Sequence, residues 1–261
     1  MRMNRRESLL AVSGLATLAA LPAHAAPLRP KAVLFDTFGT IVDWRGSIVA
    51  EGAAWGKARD LHIDWAKFAD RWRAGYMPSM DKVRQGQLPW KKLDELHRMV
   101  LEDLLVEFGI SGLTEDEKRH WNFVWHRLKP WPDSVPGLIR IKQKFTIGPL
   151  SNGNVSLLND MAKFSGLPWD VVLSAELARH YKPDREAYLM AAEILGNKPS
   201  ETLLAAAHLN DLKAAREAGL QTAFIYRPRE YGDAAKADRA KPGDFDLVVN
   251  SVPELAGLLG A

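Results

Sequence analysis

Four sets of polar side chains in this sequence each follow a short apolar run. They are Asp36, Ser151-Asn152, Lys182 and Asp211. A carboxylate can act as a nucleophile in a dry, preorganised pocket, and a neighbouring lysine can offset its charge. Singly, each residue is as easily a helix cap or a surface group. Because ligands of open α/β sheets bind at the carboxyl ends of the strands, the four sets together predict one active site.

The apolar runs themselves predict the elements that position these side chains. Runs typical of strands are 31–35, 145–150, 170–176, 203–207, 221–226 and 246–249. Patterns typical of helices lie between them at 155–165, 184–195 and 211–218. This alternation implies right-handed βαβ units. The sequence therefore predicts an α/β fold with a doubly wound parallel sheet.

The segment 44–129 contains no comparable strand and predicts an all-helical insertion after the first strand. Apolar residues at three- and four-residue spacing run from Trp65 to Tyr76 and from Leu93 to Leu105. Thr114 and Glu117 form a capping-box pattern at a helix start. We therefore expect a helical cap domain at 44–129 on a core domain of residues 31–43 and 130–261. The histidines of the insertion are interpreted as surface or core-packing residues, and the Gly/Asp/Lys-rich stretch 230–244 as a surface loop.

Residues 1–26 differ in composition from the rest of the chain. A basic start with Arg5-Arg6 precedes an alanine-rich apolar run and the small-x-small sequence AHA. This order is typical of a bacterial export signal, and the paired arginines favour the twin-arginine route to the periplasm. An ordinary secretory signal is the alternative. The run is too short to stay as a permanent membrane anchor.

Composition excludes several other classes of site. The chain has no cysteine, which excludes disulfides, thiolate metal sites and a cysteine nucleophile. Residues 1–25 carry a net charge of +2, so their removal lowers the formal charge from +3 to +1. No stripe of lysine and arginine suits a nucleic-acid partner.

Four short segments carry a resemblance to a known family. They are Asp36 with Gly39-Thr40, Ser151-Asn152-Gly153, Lys182-Pro183-Asp184 and Asn210-Asp211. In order and spacing they resemble the four motifs of the haloacid dehalogenase superfamily over roughly residues 31–250. The resemblance implies a doubly wound core with the helical cap closing over the active site.

Most members of that superfamily are Mg²⁺-dependent phosphatases, and two positions here depart from the phosphatase pattern. Phe38 stands where phosphatases carry a second Asp that acts as general acid and base. Ala206 stands where they carry a metal-binding carboxylate. A phosphomonoester carries about two negative charges near neutral pH, and the Mg²⁺ that would offset them needs oxygen ligands. Phe38 and Ala206 therefore argue against phosphoryl transfer.

The chain resembles instead the L-2-haloacid dehalogenases (type II) of the same superfamily, which use no metal or other cofactor. In them an aspartate displaces halide from C2 of a short 2-haloalkanoate, and the resulting ester is hydrolysed to a 2-hydroxy acid. The resemblance implies these catalytic roles: Asp36 as nucleophile, Lys182 to orient it, Asp211 to position Lys182 and help activate water, and Asn152 and Arg73 to bind the halide. It implies these supporting roles: Ser151 to hold the substrate carboxylate, Thr40 to support Asp36, Tyr188 to brace the site and Phe38 to line the pocket.

Some positions depart from the dehalogenase pattern too. His208 stands where relatives carry a polar side chain, often Asn, and both a helix cap and a pocket residue remain open interpretations. Ala74 and Met77 differ at the expected pocket wall, which leaves other haloacids or a non-halogenated substrate open. An Mg²⁺-dependent phosphatase and a small-acid binding protein without turnover remain as alternatives. Since relatives are often dimers, the resemblance also implies a homodimer.

Overall fold

A computed structural model describes residues 28–261. The predicted export signal, residues 1–26, lies outside the described residues. Across the described part of the chain, none of the helices has the length and apolar character needed to cross a membrane.

A six-stranded parallel sheet forms the centre of the fold, in the order β5-β4-β1-β6-β7-β8. Its strands are β1 (Ala32–Phe35), β4 (Thr146–Ser151), β5 (Leu173–Ser174), β6 (Thr202–Ala206), β7 (Gln221–Ile225) and β8 (Leu247–Val249). Two further short strands, β2 (Val42–Asp43) and β3 (Lys129–Pro130), form a separate antiparallel pair. The predicted doubly wound parallel sheet is confirmed.

Helices cover both faces of this sheet. Those of the core are α6 (Ser134–Lys142), α7 (Val155–Ser165), α8 (Ala175–Ala178), α9 (Arg185–Ile194), α10 (Leu209–Glu217) and α11 (Val252–Leu258). Successive residues of a strand point to opposite faces. In β1, Phe35 packs in an apolar cluster with α6, α7 and α11, whereas Leu34 packs with α9 and α10. Because both faces are covered, the strands are continuous apolar runs.

The edge strand β5 is much shorter than the predicted strand 170–176. Only Leu173 and Ser174 pair with β4. The Ser174 hydroxyl accepts a hydrogen bond from the backbone N of Glu176 at 3.0 Å, which starts α8 directly after the strand. The helix start therefore ends the strand.

The insertion between β2 and β3 is helical in the structure. Its helices are α1 (Trp44–Ala58), α2 (Trp65–Ala74), α3 (Tyr76–Arg84), α4 (Leu93–Glu107) and α5 (Glu115–Asn122), followed by a 3-10 helix, Phe123–Arg127. The capping box of Thr114 and Glu117 begins α5, as predicted. We call this segment the cap. Its tryptophans form one apolar cluster with Phe38 and the sheet.

Close contact between α1 and α2 depends on a glycine. A Cβ on Gly52 would lie 2.5 Å from the Trp65 ring, closer than carbon atoms approach each other in proteins. The Trp65 ring in turn stacks on Trp121 with centroids 5.4 Å apart. These aromatic pairs fix the cap helices relative to one another.

His126 joins the cap to the core. Its Nε2 lies 3.0 Å from Asp94 Oδ1 in α4, and its Nδ1 lies 2.9 Å from Asp160 Oδ2 in α7. The side chain is 5% exposed. Burial alone would lower the pKa of His126, but the two carboxylates outweigh burial and raise it above 6.5. Both ring nitrogens face acceptors, so the ring is an imidazolium that donates to both sides.

We expect His126→Gln to lower the free energy of unfolding by about 1–3 kcal/mol at pH 5.5, because it removes a charged donor from two carboxylates. Because the pKa of His126 is raised in the folded protein, its protonation stabilises the fold fully below the unfolded pKa of 6.5. This stabilisation is lost as the pH rises through the folded pKa. The loss should therefore shrink at pH 9. Urea unfolding at both pH values measures it, with the exposed His62→Gln as control. An equal loss at both pH values would contradict a charged His126.

Candidate active site

Asp36 emerges at the carboxyl end of β1, in the middle of the sheet. Its backbone N donates to Ala205 O at 3.0 Å, which continues the ladder to β6. Its side chain is largely buried, and three groups hold it. Oδ1 accepts from Lys182 Nζ at 3.1 Å, and Oδ2 accepts from Thr40 Oγ1 at 2.7 Å. Oδ2 also lies 3.1 Å from His208 Nδ1.

These contacts decide the charge of Asp36. Burial alone would raise the pKa of its carboxyl group. The Lys182 ammonium, the His208 ring and the Thr40 hydroxyl outweigh burial and hold that pKa well below its usual range. Asp36 is therefore a desolvated carboxylate with its charge intact, which is the state a carboxylate nucleophile requires.

Lys182 is fixed at both its backbone and its side chain. Asn152, after β4, accepts from Lys182 N at 2.7 Å and donates to Lys182 O at 3.2 Å. The ammonium bridges Asp36 Oδ1 and Asp211 Oδ2, the latter at 2.6 Å. Burial alone would lower the pKa of Lys182, but Asp211 and Asp36 raise it above its ordinary value. The lysine is a buried cation between two anions.

Asp211 lies in the first turn of α10 and is braced from α9. The fully buried Tyr188 donates from its hydroxyl to Asp211 Oδ1 at 2.6 Å. The other oxygen of Asp211 accepts from Lys182. Since both oxygens are held, the carboxylate has one orientation, and it holds Lys182 against Asp36.

His208 connects Asp36 to a residue that the sequence did not indicate. Its Nε2 lies 3.0 Å from Oε1 of Glu230, which is 2% exposed. Burial would lower the pKa of His208, but Glu230 and Asp36 raise it to about 10. The ring is thus an imidazolium between two carboxylates. The sequence left open whether His208 is a helix cap or a pocket residue. The structure places it in the pocket, and its side chain makes no cap bond to α10.

Glu230 corrects the interpretation of 230–244 as a surface loop. Trp44 Nε1 donates to Glu230 Oε1 at 3.2 Å from the first turn of the cap. The carboxylate lies against Gly39, whose φ of +84° favours glycine and where an added Cβ would lie 2.1 Å from Oε1. A single Glu in a Gly/Asp/Lys-rich stretch carries no signal of burial. Only the contact across the fold reveals it.

Arg73 enters the site from the last turn of α2. Its guanidinium lies over the Tyr76 ring at 4.2 Å and 5.6 Å from the Trp44 ring centroid. Burial would lower the pKa of Arg73, but nearby tyrosines, Glu230 and Asp36 raise it. Within residues 28–261, its buried Nη1 has no hydrogen-bond partner. A guanidinium with a free donor suits an anionic ligand.

A cavity of about 350 Å³, here the active-site cavity, joins these groups. The residues predicted for the site that line it are Asp36, Arg73, Asn152, Lys182, His208 and Asp211. The wall is completed by residues given no catalytic role from the sequence, namely Tyr76, Met77, Pro183, Asn210, Tyr231 and Asp238. Thr40 and Tyr188 lie behind the wall and act through their bonds to Asp36 and Asp211.

Phe38 and Ser151, which were predicted to contact the substrate, do not line this cavity either. Phe38 packs into the core beneath the cap, with its ring 5.7 Å from Trp125 and 6.3 Å from Tyr76. Ser151 is fully buried at the end of β4, and its Oγ accepts from Gly153 N at 3.2 Å. Phe38 therefore supports the wall residue Tyr76 instead of forming the wall.

The donor set around Asp36 does not suit a divalent cation. The ammonium of Lys182 occupies the space between the carboxylates of Asp36 and Asp211. The side chains of Phe38 and Ala206 carry no oxygen, and both are buried. Among the described residues, no three His, Cys, Asp or Glu side chains are grouped to hold a metal. A metal bound by both Asp36 and Asp211 would have to displace the ammonium of Lys182.

Comparison with known proteins agrees with this geometry. The family model for haloacid dehalogenase-like hydrolases matches residues 30–219. A crystal structure of a defluorinating L-2-haloacid dehalogenase is 49% identical, with a TM-score of 0.86 over 89% of this chain and 96% of that one. A second L-2-haloacid dehalogenase structure is 46% identical, with a TM-score of 0.83 over 88% and 99%.

A curated relative gives the same result at lower identity. The (S)-2-haloacid dehalogenase 1 of Pseudomonas sp. (strain CBS-3) is 27% identical over 215 residues, which is 80% of this chain and 90% of the relative. The family match covers well over half of the chain, and the six-stranded sheet carries Asp36 at its centre. The chain is therefore a member of the haloacid dehalogenase-like hydrolase family.

Proposed function

We propose that this protein hydrolyses the carbon–halogen bond of short 2-haloalkanoic acids without a metal, through an ester on Asp36. The observation that carries the proposal is the buried, ionised Asp36, bridged to Asp211 by the ammonium of Lys182. The two dehalogenase structures similar over nearly the whole chain support the same substrate class. The product would be a 2-hydroxy acid and a halide ion.

In the first step an oxygen of Asp36 forms a bond to C2 as the carbon–halogen bond breaks and the halide leaves with the electron pair. Oδ1 accepts one hydrogen bond, from Lys182, whereas Oδ2 is held by Thr40 and His208. We therefore assign Oδ1 as the nucleophile, because fewer donors tie up its lone pairs. The unpaired donor of Arg73 stabilises the charge that develops on the halide.

In the second step water attacks the carbonyl carbon of the Asp36 ester, and the bond from that carbon to Oδ1 breaks. Oδ1 leaves as the hydroxyl oxygen of the hydroxy acid with one proton of the water. The other proton is released to solvent, and the oxygen of the water completes the restored carboxylate. The carbonyl oxygen of the ester is Oδ2, which lies 2.7 Å from Thr40 Oγ1 and 3.1 Å from His208 Nδ1. These donors form an oxyanion hole for the tetrahedral intermediate. Asp211 remains the anion of the cavity wall that can help to activate the water.

The test of the function is halide release from L-2-chloropropionate and bromoacetate in EDTA. We expect turnover by the wild type and a loss on the order of 10⁴-fold or more in Asp36→Asn, because the amide cannot attack C2. Ion chromatography of the halide measures both. The variant should still bind the substrate, which isothermal titration shows.

Other outcomes would favour the alternatives. Activity on phosphomonoesters that requires Mg²⁺ would identify a phosphatase and contradict the assignment. Substrate binding without halide release by the wild type would leave a small-acid binding protein. Halide release unchanged in Asp36→Asn would exclude the ester on Asp36.

His208 provides a second prediction. We expect His208→Gln to hydrolyse the ester about 10- to 100-fold more slowly, because a neutral donor replaces the imidazolium. Intact-protein mass spectrometry during turnover should then show an ester adduct that is scarce in wild type, with His62→Gln as control. Unchanged hydrolysis with no adduct would remove His208 from the oxyanion hole.

The pH profile follows from the same charge. In the free enzyme Glu230 and Asp36 raise the pKa of His208 to about 10. The ester removes the charge of Asp36, one of these causes, so the pKa of His208 should be lower in the ester intermediate. Because hydrolysis of the ester uses the imidazolium, its rate in single turnovers should fall as the pH rises, with a midpoint below that of the free enzyme's His208. Glutamine does not titrate, and the hydrolysis rate of His208→Gln should lack this fall.

We also propose that residues 1–26 export the protein by the twin-arginine route. Expression of the full chain in a bacterium should place the protein in the periplasmic fraction, with an N-terminus near residue 26. Replacement of Arg5 and Arg6 by lysine should leave it in the cytoplasm, whereas Arg2→Lys should not. Export that survives the double replacement would indicate an ordinary secretory signal.

A further inference from the structure

A second cavity adjoins the active-site cavity on the far side of Arg73. It has a volume of about 390 Å³, and we call it the outer cavity. Four residues line both cavities and form the wall between them, namely Arg73, Tyr76, Met77 and Tyr231. Asp36 and Lys182 line only the active-site cavity, whereas Ala74 and Lys236 line only the outer cavity.

The outer cavity opens to solvent. Ala74 and Lys236 on its rim are exposed, and Met77 is 44% exposed. Its floor is the shared wall, where the Arg73 guanidinium packs on Tyr76. Because Met77 and Arg73 are unbranched, flexible side chains, small rotamer changes would connect the two cavities.

The charges of the outer cavity suit a small anion. Arg73 and Lys236 are both cationic. The one acidic residue that lines it, Asp70, accepts from Arg45 Nε at 2.6 Å and from Arg45 Nη2 at 3.0 Å. The active-site cavity, in contrast, is lined by the carboxylates of Asp36, Asp211 and Asp238 beside the cations Lys182 and His208. The outer cavity holds no carboxylate without a cationic partner that would repel an anion.

The proposed reaction delivers such an anion to the shared wall. A carboxylate that attacks C2 in line expels the halide on the opposite side of C2, away from Asp36. The acyl ester then remains bonded to Asp36 within the active-site cavity. The halide therefore forms on the side of the ester that faces Arg73, one of the four residues of the wall shared with the outer cavity.

We propose that the outer cavity is a halide-binding site and the route by which the halide leaves, past Arg73 toward Lys236. This inference rests on the proposed dehalogenase function. It assigns a function to Ala74 and Lys236, which touch none of the reacting atoms. The hydroxy acid is released later, from Asp36, into the active-site cavity.

Ala74→Trp fills the outer cavity without entering the active-site cavity, and Ala74→Ser is its control. With enzyme in excess over L-2-bromopropionate, rapid-quench mass spectrometry follows the ester, and a bromide-quenched fluorophore in stopped flow follows free bromide. We expect Ala74→Trp to form the ester within about twofold of the wild-type rate and to release bromide about tenfold more slowly. Ala74→Ser should match wild type in both.

Free bromide that appears as fast as the ester in a folded Ala74→Trp variant would overturn the exit route. Lys236→Glu gives an independent measurement should the tryptophan variant not fold, with Lys236→Arg as control. Lys236→Glu should slow bromide release severalfold and leave ester formation unchanged, and wild-type release would again overturn the proposal. Absence of ester and halide in wild type would instead reject the dehalogenase function.

Discussion

The active site depends on one buried ammonium group. Lys182 Nζ lies 3.1 Å from Asp36 and 2.6 Å from Asp211, and it balances charges that could not otherwise remain buried together. Asn152 fixes the backbone of the lysine, and Tyr188 fixes the second carboxylate. A similar balance recurs at His208 between Asp36 and Glu230. The site thus alternates cations and anions, and the carboxylates of Asp36, Asp211 and Glu230 are each held by more than one donor.

Much of this arrangement could be predicted from the sequence because it is local. The strand ends that carry Asp36, Asn152 and Asp211 follow apolar runs, and parallel strands bring those ends to one edge of the sheet. The helix predicted at 155–165 agrees with α7. Its apolar spacing determines which side is buried, and Gly166 ends it in the left-handed conformation. The family model and the similar structures confirm the family that these motifs indicate.

The remainder depends on long-range contacts. Glu230 is buried because Trp44, Gly39 and His208 close around it from three distant segments, and no local pattern records that. Phe38 was placed in the pocket wall by resemblance, but the aromatic cap packs over it. The edge strand β5 was overestimated because β-branched residues before Leu173 continue the strand pattern, although only Leu173 and Ser174 are in ladder register with β4.

The pair β2–β3 has a broader consequence for the molecule. Val42 pairs with Pro130 and Asp43 with Lys129, so the chain leaves the core and returns to it at neighbouring positions. Topologically, the cap is the connection between the two antiparallel strands of a short hairpin, β2 and β3. Helices inserted at such a point can lengthen, shorten or be replaced with little strain on β1. The cap can therefore change its helices while the sheet keeps the geometry that places Asp36.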